Sequence, residues 1–518
     1  MSLNRPSLSR LRAVAERQGL DSSDEELEFL RSLGDGLLRA CERIDAVQGE
    51  RLPVEYPRTG GVRRPEHEEN AYNAWAWLAR VEGEADGLLR GLRVVLKDIV
   101  PVAGVPMTAG SALLRGHTAD FDATVVTRIL RAGGTILGTA ATEDMCLSGA
   151  SLSAVTGFVR NPRDPSRSAG GSSSGVAALL AAGDADVGIG ADQGGSIRIP
   201  ASLCGVYGLK PTYGLIPYTG CIPIDVSIDY LGPMGRRIDD VARLLEAVAG
   251  FDDGLDPRQR ADLPVQPYTQ LLGDGSLAGL RVGVVREGFA QPELSEEGVD
   301  AAVRDAAFAL RDLGATVEDV SVPEHLYSMD VHASILLQGC SEFMVRGNGI
   351  GLPGKGFYDP SLAEAAARGR RLQADQLFAS VKYALVMGGY LWEEYGGAYY
   401  AKAQNLAVRL RRAYDAVLET VDVLVLPTTC VTAPLLPTEE STPFDAVNMA
   451  LDPALISNTC AFNHTGHPAL NVPIGPVDDL PVGMMVVGRR NEDGTVLRVA
   501  SAMERAGATL VPAEEPGR

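Results

Sequence analysis

The sequence predicts an α/β fold: a largely parallel or mixed central sheet covered by helices, preceded by a small helical unit. Three observations carry this. From Leu92 to Val320, short apolar runs bounded by glycine and polar turns alternate with amphipathic runs, the order of a sheet built through helical crossovers. The N-terminal stretch instead carries Leu27, Leu30, Leu33, Leu37 and Leu38 at helical spacing. The third observation is the stretch Ser168–Pro200, which holds two Gly-Ser turns separated by one helix and one strand.

In chain order, Ser23-Asp24-Glu25-Glu26 opens the N-terminal helix, with Ser22 or Ser23 as N-cap and acids in the first turn. Arg51–Glu66, with Pro53, Pro57, Pro65 and Gly60-Gly61, reads as a linker or wrapping arm. Tyr72, Trp75 and Leu78 restart a helical pattern and close an N-terminal helical domain over residues 1–85, which packs on the rest or serves a dimer interface. The main domain spans 86–506. Leu92–Leu96 is its first strand, Asp122–Ala132 an amphipathic helix stopped by Gly133-Gly134, and Thr135–Gly138 the next strand. Val176–Ala182 is a short apolar helix stopped by Gly183, and Val187–Ala191 a buried strand. Asn161–Arg167 and Leu231–Met234 read as loops, and Ile238–Ala249 as a helix. Leu280–Val285 (strand), Val299–Leu313 (helix) and Thr316–Val320 (strand) form a second α/β run. Residues 325–405 are helix-rich, with many Met and aromatic side chains. Val423–Leu426, Leu470–Ile474 and Pro481–Val487 are the closing strands, and residues 507–518 are expected to be a frayed tail.

Composition excludes several classes. A net charge of −20 argues against nucleic acid as a partner. The N-terminus lacks the roughly 7–15-residue apolar core of a secretory leader. No run approaches the roughly 18 apolar residues of a membrane span. Seven scattered cysteines, none in a C-x-x-C pattern, read as reduced thiols in a cytoplasmic protein. Cys204 reads as a buried structural thiol, and His464-x-x-His467 lacks a third ligand, so no metal is expected.

The candidate site lies at the two turns. Glycines directly before a serine at a strand end let successive N–H groups converge on one point, which is how an oxyanion hole is built beside a nucleophile. In Gln193-Gly194-Gly195-Ser196, Ser196 is therefore the candidate nucleophile, and the N–H groups of Gln193, Gly194, Gly195 and Ser196 the candidate oxyanion donors. Ser172, in Gly170-Gly171-Ser172-Ser173-Ser174-Gly175, is the candidate proton relay, since a hydroxyl both donates and accepts. A flexible Gly/Ser linker is the bland alternative, but these turns are embedded between apolar segments. A phosphate loop would need a lysine after its last glycine, and a G-x-S-x-G elbow fails at Ser196, where Ile197-Arg198 follows. Lysine occurs only five times among 47 basic residues, so Lys97 in the apolar run Val94–Val100 asks for a reason. A desolvated lysine can give up its proton and act as a base, which arginine cannot. Asp192 and Arg198 flank the nucleophile and read as a structural ion pair.

The paired motifs G-G-S-S-S-G and D-Q-G-G-S-I-R-I-P-A, with their serines 24 positions apart, resemble the amidase signature family, most of all the acylamide amidases of actinobacteria found alongside nitrile hydratases. That resemblance implies a large mixed sheet flanked by helices, hydrolysis of a C–N bond without cofactor, and a Ser-cisSer-Lys triad of Ser196, Ser172 and Lys97. It implies further that residues 325–405 shape the acyl pocket and that the N-terminal helical region takes part in a homodimer. The expected function is hydrolysis of a small-molecule carboxylic amide to carboxylate and ammonia through an acyl-enzyme. The alternatives are hydrolysis of a hydrazide, ureide, carbamate or ester, the glutaminase-type subunit of a tRNA-dependent amidotransferase, and a non-catalytic scaffold.

Overall fold

The computed structural model describes residues 4–58, 60–351 and 354–510. The chain divides into two compact units, Met1–Arg51 and Leu52–Arg518. The small unit is a pair of helices, Leu8–Arg17 and Asp24–Asp45. The second starts on a full capping box: Ser23 accepts from the Glu26 N–H while Glu26 accepts from the Ser23 N–H, so two orphan donors are satisfied reciprocally. Arg5 pairs with Asp35 at 2.8 Å within this unit.

The large unit is built on one mixed sheet of eleven strands in the order β1-β3-β2-β6-β8-β7-β12-β13-β11-β9-β10. In chain order its first strands are β1 (Trp75–Val81), β2 (Arg93–Lys97) and β3 (Thr135–Ala140). A separate hairpin, β4 (Arg160–Asn161) with β5 (Asp164–Ser168), precedes β6 (Val187–Asp192), β7 (Tyr207–Lys210) and β8 (Tyr230–Gly235). The second α/β run gives β9 (Arg281–Val285) and β10 (Thr316–Val320), and the closing strands are β11 (Val423–Pro427), β12 (Ala469–Val477) and β13 (Leu480–Gly488). β2 lies parallel to both β3 and β6, and β9 parallel to β10 and β11, whereas β8, β7, β12 and β13 pair antiparallel. Helices Thr124–Arg131, Ser174–Ala182, Ile238–Val248 and Glu297–Ala309 supply the expected crossovers, and Gly183 ends the second at φ 85°. Among the described residues, 325–405 is helix-rich, including Ser328–Gly339 and Ala379–Tyr395.

The structure corrects three sequence expectations. Tyr72–Leu78 is not helical: Trp75–Val81 is the edge strand β1, antiparallel to β3, so these residues belong to the large unit. Its two tryptophans suit a pleated edge, with Trp75 buried and the Arg64 guanidinium 3.9 Å above the Trp77 ring. Leu231–Met234 is strand, not loop, because all six residues of β8 pair with β6. Its Gly-Pro pair marks a close approach rather than a turn: a Cβ on Gly232 would stand 2.0 Å from the Leu209 carbonyl. Asn161–Arg167 falls in the β4–β5 hairpin. Of the expected tail, Leu510 N–H donates to Pro473 O at 3.0 Å and Tyr207 bonds Thr509 at 3.2 Å; residues 511–518 lie outside the described residues.

Candidate active site

Parallel neighbours end at the same edge of a sheet, and β2 and β6 are parallel neighbours. β2 ends at Lys97 and β6 runs into Gln193-Gly194-Gly195-Ser196. The first turn joins them there: the Ser173 hydroxyl and the Ala191 backbone bond each other at 3.2 Å, and Ser173 N–H donates to the Ser196 carbonyl at 3.1 Å. Lys97, Ser172 and the second turn thus meet at one place.

Lys97 is fully buried. Its Nζ donates to Ser172 Oγ at 2.7 Å and to the Ala191 carbonyl at 3.3 Å. Burial pushes its pKa below the ordinary lysine value, partly opposed by the Cys146 thiol, Asp192 and Glu143. Ser172 follows a cis peptide bond from Gly171, and its carbonyl accepts from the Thr142 hydroxyl at 2.7 Å. Ser196 is half-buried, and its Oγ has no hydrogen-bond partner among the described residues. Nor, among those residues, do the backbone N–H groups of Gln193, Gly194, Gly195 and Ser196 have an acceptor. The Gln193 side chain turns into the wall, donating to Tyr218 Oη at 3.0 Å and to Asp229 at 3.2 Å. Burial lifts the Asp229 carboxyl to about 7.

The Gln193–Ser196 loop is clamped from behind. Arg198 and Asp192 form a bidentate, fully buried pair at 2.9–3.0 Å, as expected of a structural ion pair. Burial raises the Asp192 pKa, but Arg198, Asn463 and the Ile197 N–H outweigh it and hold the carboxyl at about 2. Thr459 Oγ1 donates to the Gly194 carbonyl at 2.6 Å, and a Cβ on Gly195 would stand 2.3 Å from that hydroxyl. Cys204 is buried and its thiol is pushed up to about 12.

Beside Ser196 opens a cavity of about 270 Å³. One wall comes from the helix Ser328–Gly339 (Met329, His332, Ala333, Leu336, Leu337), joined by Tyr383; another comes from Ala450–Ile456; Cys146, Leu147, Ile199 and Ile224 complete it. Sequence reasoning brought residues 325–405 to this pocket only through family resemblance. It missed Ala450–Ile456, Cys146, and the Thr459–Asn463 clamp. The signal for the clamp was a polar run, Asn458 to His467, inside an otherwise apolar segment. The two histidines of that run diverge: His464 bonds His332 at 3.1 Å, while His467 faces Asp415 at 3.1 Å. Among the described residues no cluster of three or more His, Cys, Asp or Glu is placed to hold a metal.

A desolvated lysine bonded to one serine, beside a cavity walled by another, is arranged for serine-based acyl chemistry on an α/β scaffold. Comparison with known proteins narrows that class. The profile of the Amidase family matches residues 62–497, and the chain belongs to that family. It is 45% identical over 453 residues to an enantioselective amidase of Rhodococcus rhodochrous, covering 87% of this chain and 86% of that protein. It is 36% identical over 420 residues to a glutamyl-tRNA(Gln) amidotransferase subunit of Symbiobacterium thermophilum, covering 81% of this chain and 83% of that protein. Among solved structures, the peptide amidase PAM in complex with the competitive inhibitor chymostatin superposes with a TM-score of 0.66 at 30% identity, covering 83% of this chain and 86% of that one.

Proposed function

We propose that the protein hydrolyses a neutral carboxylic amide to carboxylate and ammonia, with Ser196 as nucleophile, Ser172 as relay and Lys97 as base. Neutral Lys97 takes the Ser172 proton as Ser172 takes that of Ser196. Ser196 Oγ attacks the carbonyl carbon, and the tetrahedral oxyanion rests on the N–H groups of residues 193–196. The lysine proton returns through Ser172 to the departing nitrogen, ammonia leaves, and the acyl-enzyme remains. Water, deprotonated by the same relay, attacks the ester and releases the acid. The observation that carries this reading is the 2.7 Å bond between a fully buried Lys97 and Ser172.

The mostly apolar cavity beside Ser196 suits a neutral amide with an apolar or aromatic acyl group. Its lining contains no Lys or Arg to receive the carboxylate of free glutamine, which disfavours the amidotransferase-subunit reading. Seven free cysteines support a reducing, cytoplasmic setting. Phe29, Leu30, Leu33, Leu37 and Ile44 lie on the helix Asp24–Asp45 outside the helical pair's own packing, which supports a homodimer through a second copy of this face.

Intact-mass spectrometry after fluorophosphonate treatment, together with ammonia release from a panel of primary amides, tests the chemistry. An adduct on Ser196 that is absent in Ser196→Ala, with ammonia released from at least one amide, supports it; an adduct on another residue rejects it. Light scattering reads the dimer, and a monomer mass rejects that part.

A further inference from the structure

A second cavity, of about 360 Å³, lies behind the nucleophile loop and shares no lining residue with the first. In a chain of net charge −20 its walls carry three arginines, Arg260, Arg411 and Arg490, and no Asp or Glu. Arg260 is answered by Asp262 at 2.7 Å. Arg411 and Arg490 share one carboxylate, Asp415, at 3.9 and 3.4 Å, so one positive charge is left over. The other neighbour of Asp415 is His467, whose pKa burial pushes down, so it adds no charge at neutral pH. Arg411 Nε and the hydroxyl of buried Thr465 have no hydrogen-bond partner among the described residues. Leu263 and Val408 supply apolar wall on the same cavity.

We propose that this cavity binds a small organic monocarboxylate. Guanidinium groups match a carboxylate through paired N–H···O bonds, and a single surplus charge matches a single negative one. The apolar wall fits an organic body, which inorganic phosphate lacks. The site also reaches the Gln193–Ser196 loop through two side chains. His464 lines it and bonds His332 at 3.1 Å, and His332 packs so closely on Gly194 that a Cβ there would stand 2.6 Å from its Nε2. Burial holds His332 neutral, at about 4, so this contact is carried by uncharged rings.

The test is calorimetric titration with sodium benzoate at fixed ionic strength. It is run on the wild type, on Arg411→Gln/Arg490→Gln, on Arg490→Gln alone, and on Leu336→Trp, which fills the first cavity. Expected are saturable binding to the wild type, weakening of about tenfold or more in the double variant with a partial loss in the single one, no change in Leu336→Trp, and no displacement by sodium phosphate. Both arginines are partly exposed, and denaturation midpoints confirm that the variants fold. Absence of binding to the wild type overturns the proposal, as does binding that survives the arginine changes. Loss of binding in Leu336→Trp would place benzoate beside Ser196 instead, and displacement by phosphate would overturn the carboxylate assignment. None of these readouts depends on turnover, so the proposal stands or falls apart from the amidase reading.

Discussion

Replacing Lys97 by methionine separates the two costs of burying the amine proposed as the base. Methionine keeps most of the side chain's length and removes the amine. The Ala191 carbonyl keeps its bond from Ser173 at 3.2 Å, while Ser172 loses the 2.7 Å donor. Those changes in packing and hydrogen bonding do not vary with pH. The pH dependence comes from the proton. In the unfolded chain Lys97 holds its proton up to about pH 10.4. In the folded protein burial lowers that pKa, so between the two values the unfolded state binds one proton more. Wild-type stability therefore rises with pH relative to Lys97→Met, by about 1.4 kcal/mol per pH unit inside that window, and the penalty is fully present below it. Urea denaturation of both proteins from pH 6 to 10 measures the difference. Activity supplies the second reading: the acid limb of the wild-type kcat/KM profile should break at the pH where the stability difference levels off, because both report one folded-state pKa. Loss of the base itself should cost about 10²–10⁴-fold in kcat. Stability differences that stay constant across pH 6–10 would mean Lys97 is charged in the folded protein, and the relay from Ser196 through Ser172 would have no base.

Removing Cys146 with alanine takes away an interaction that raises the Lys97 pKa, so the acid limb of kcat/KM should move to lower pH; a shift to higher pH refutes this direction. Thr459→Val removes the 2.6 Å bond to the Gly194 carbonyl. In a trans peptide the N–H points opposite its carbonyl, so this bond aims the Gly195 N–H away from Thr459, and its loss should lower kcat by about 10²-fold with KM little changed, while Thr459→Ser restores it. Equal losses in the valine and serine variants would assign Thr459 a merely steric role. Arg198→Met leaves the fully buried Asp192 without its partner and should cost about 3–5 kcal/mol, read by urea denaturation. Asn463 and the Ile197 N–H still reach that carboxylate, so the lower end of the range is expected.

What was legible in the sequence follows from how local each constraint is. Lys97 stood out because a residue this chain uses five times sits inside an apolar run, and its full burial accounts for the apolar neighbours. Ser172 and Ser196 stood out because close backbone approach requires glycine, which leaves a spelling: Cβ atoms on Gly171, Gly194 and Gly195 would meet neighbours at 2.8, 2.6 and 2.3 Å. The same logic misled at β8, where Gly232-Pro233 spells a turn locally but serves the approach of β7, a contact set by the sheet and not by the neighbouring residues. Trp75–Val81 failed for a related reason, since its apolar spacing fits a helix until β3 offers it an edge.

The cavity walls were the least legible, because they are made by convergence. Met329 to Leu337 and Tyr383 read only as part of a helix-rich region, Ala450–Ile456 drew no reading, and nothing in any one of them says that it faces Ser196. This division has a functional consequence. The groups proposed for the chemistry lie on β2, β6 and two glycine-bound turns, locked by Arg198, Asp192 and Thr459. Apart from Cys146, the walls proposed to choose the acyl group lie on Met329–Leu337, Tyr383 and Ala450–Ile456, which share no hydrogen bond with Lys97 or Ser172 among the described residues. Substitution along Ala333, Leu336 or Leu455 can therefore reshape the pocket without disturbing the proposed base and relay, and specificity in such a scaffold can change while its chemistry stays fixed.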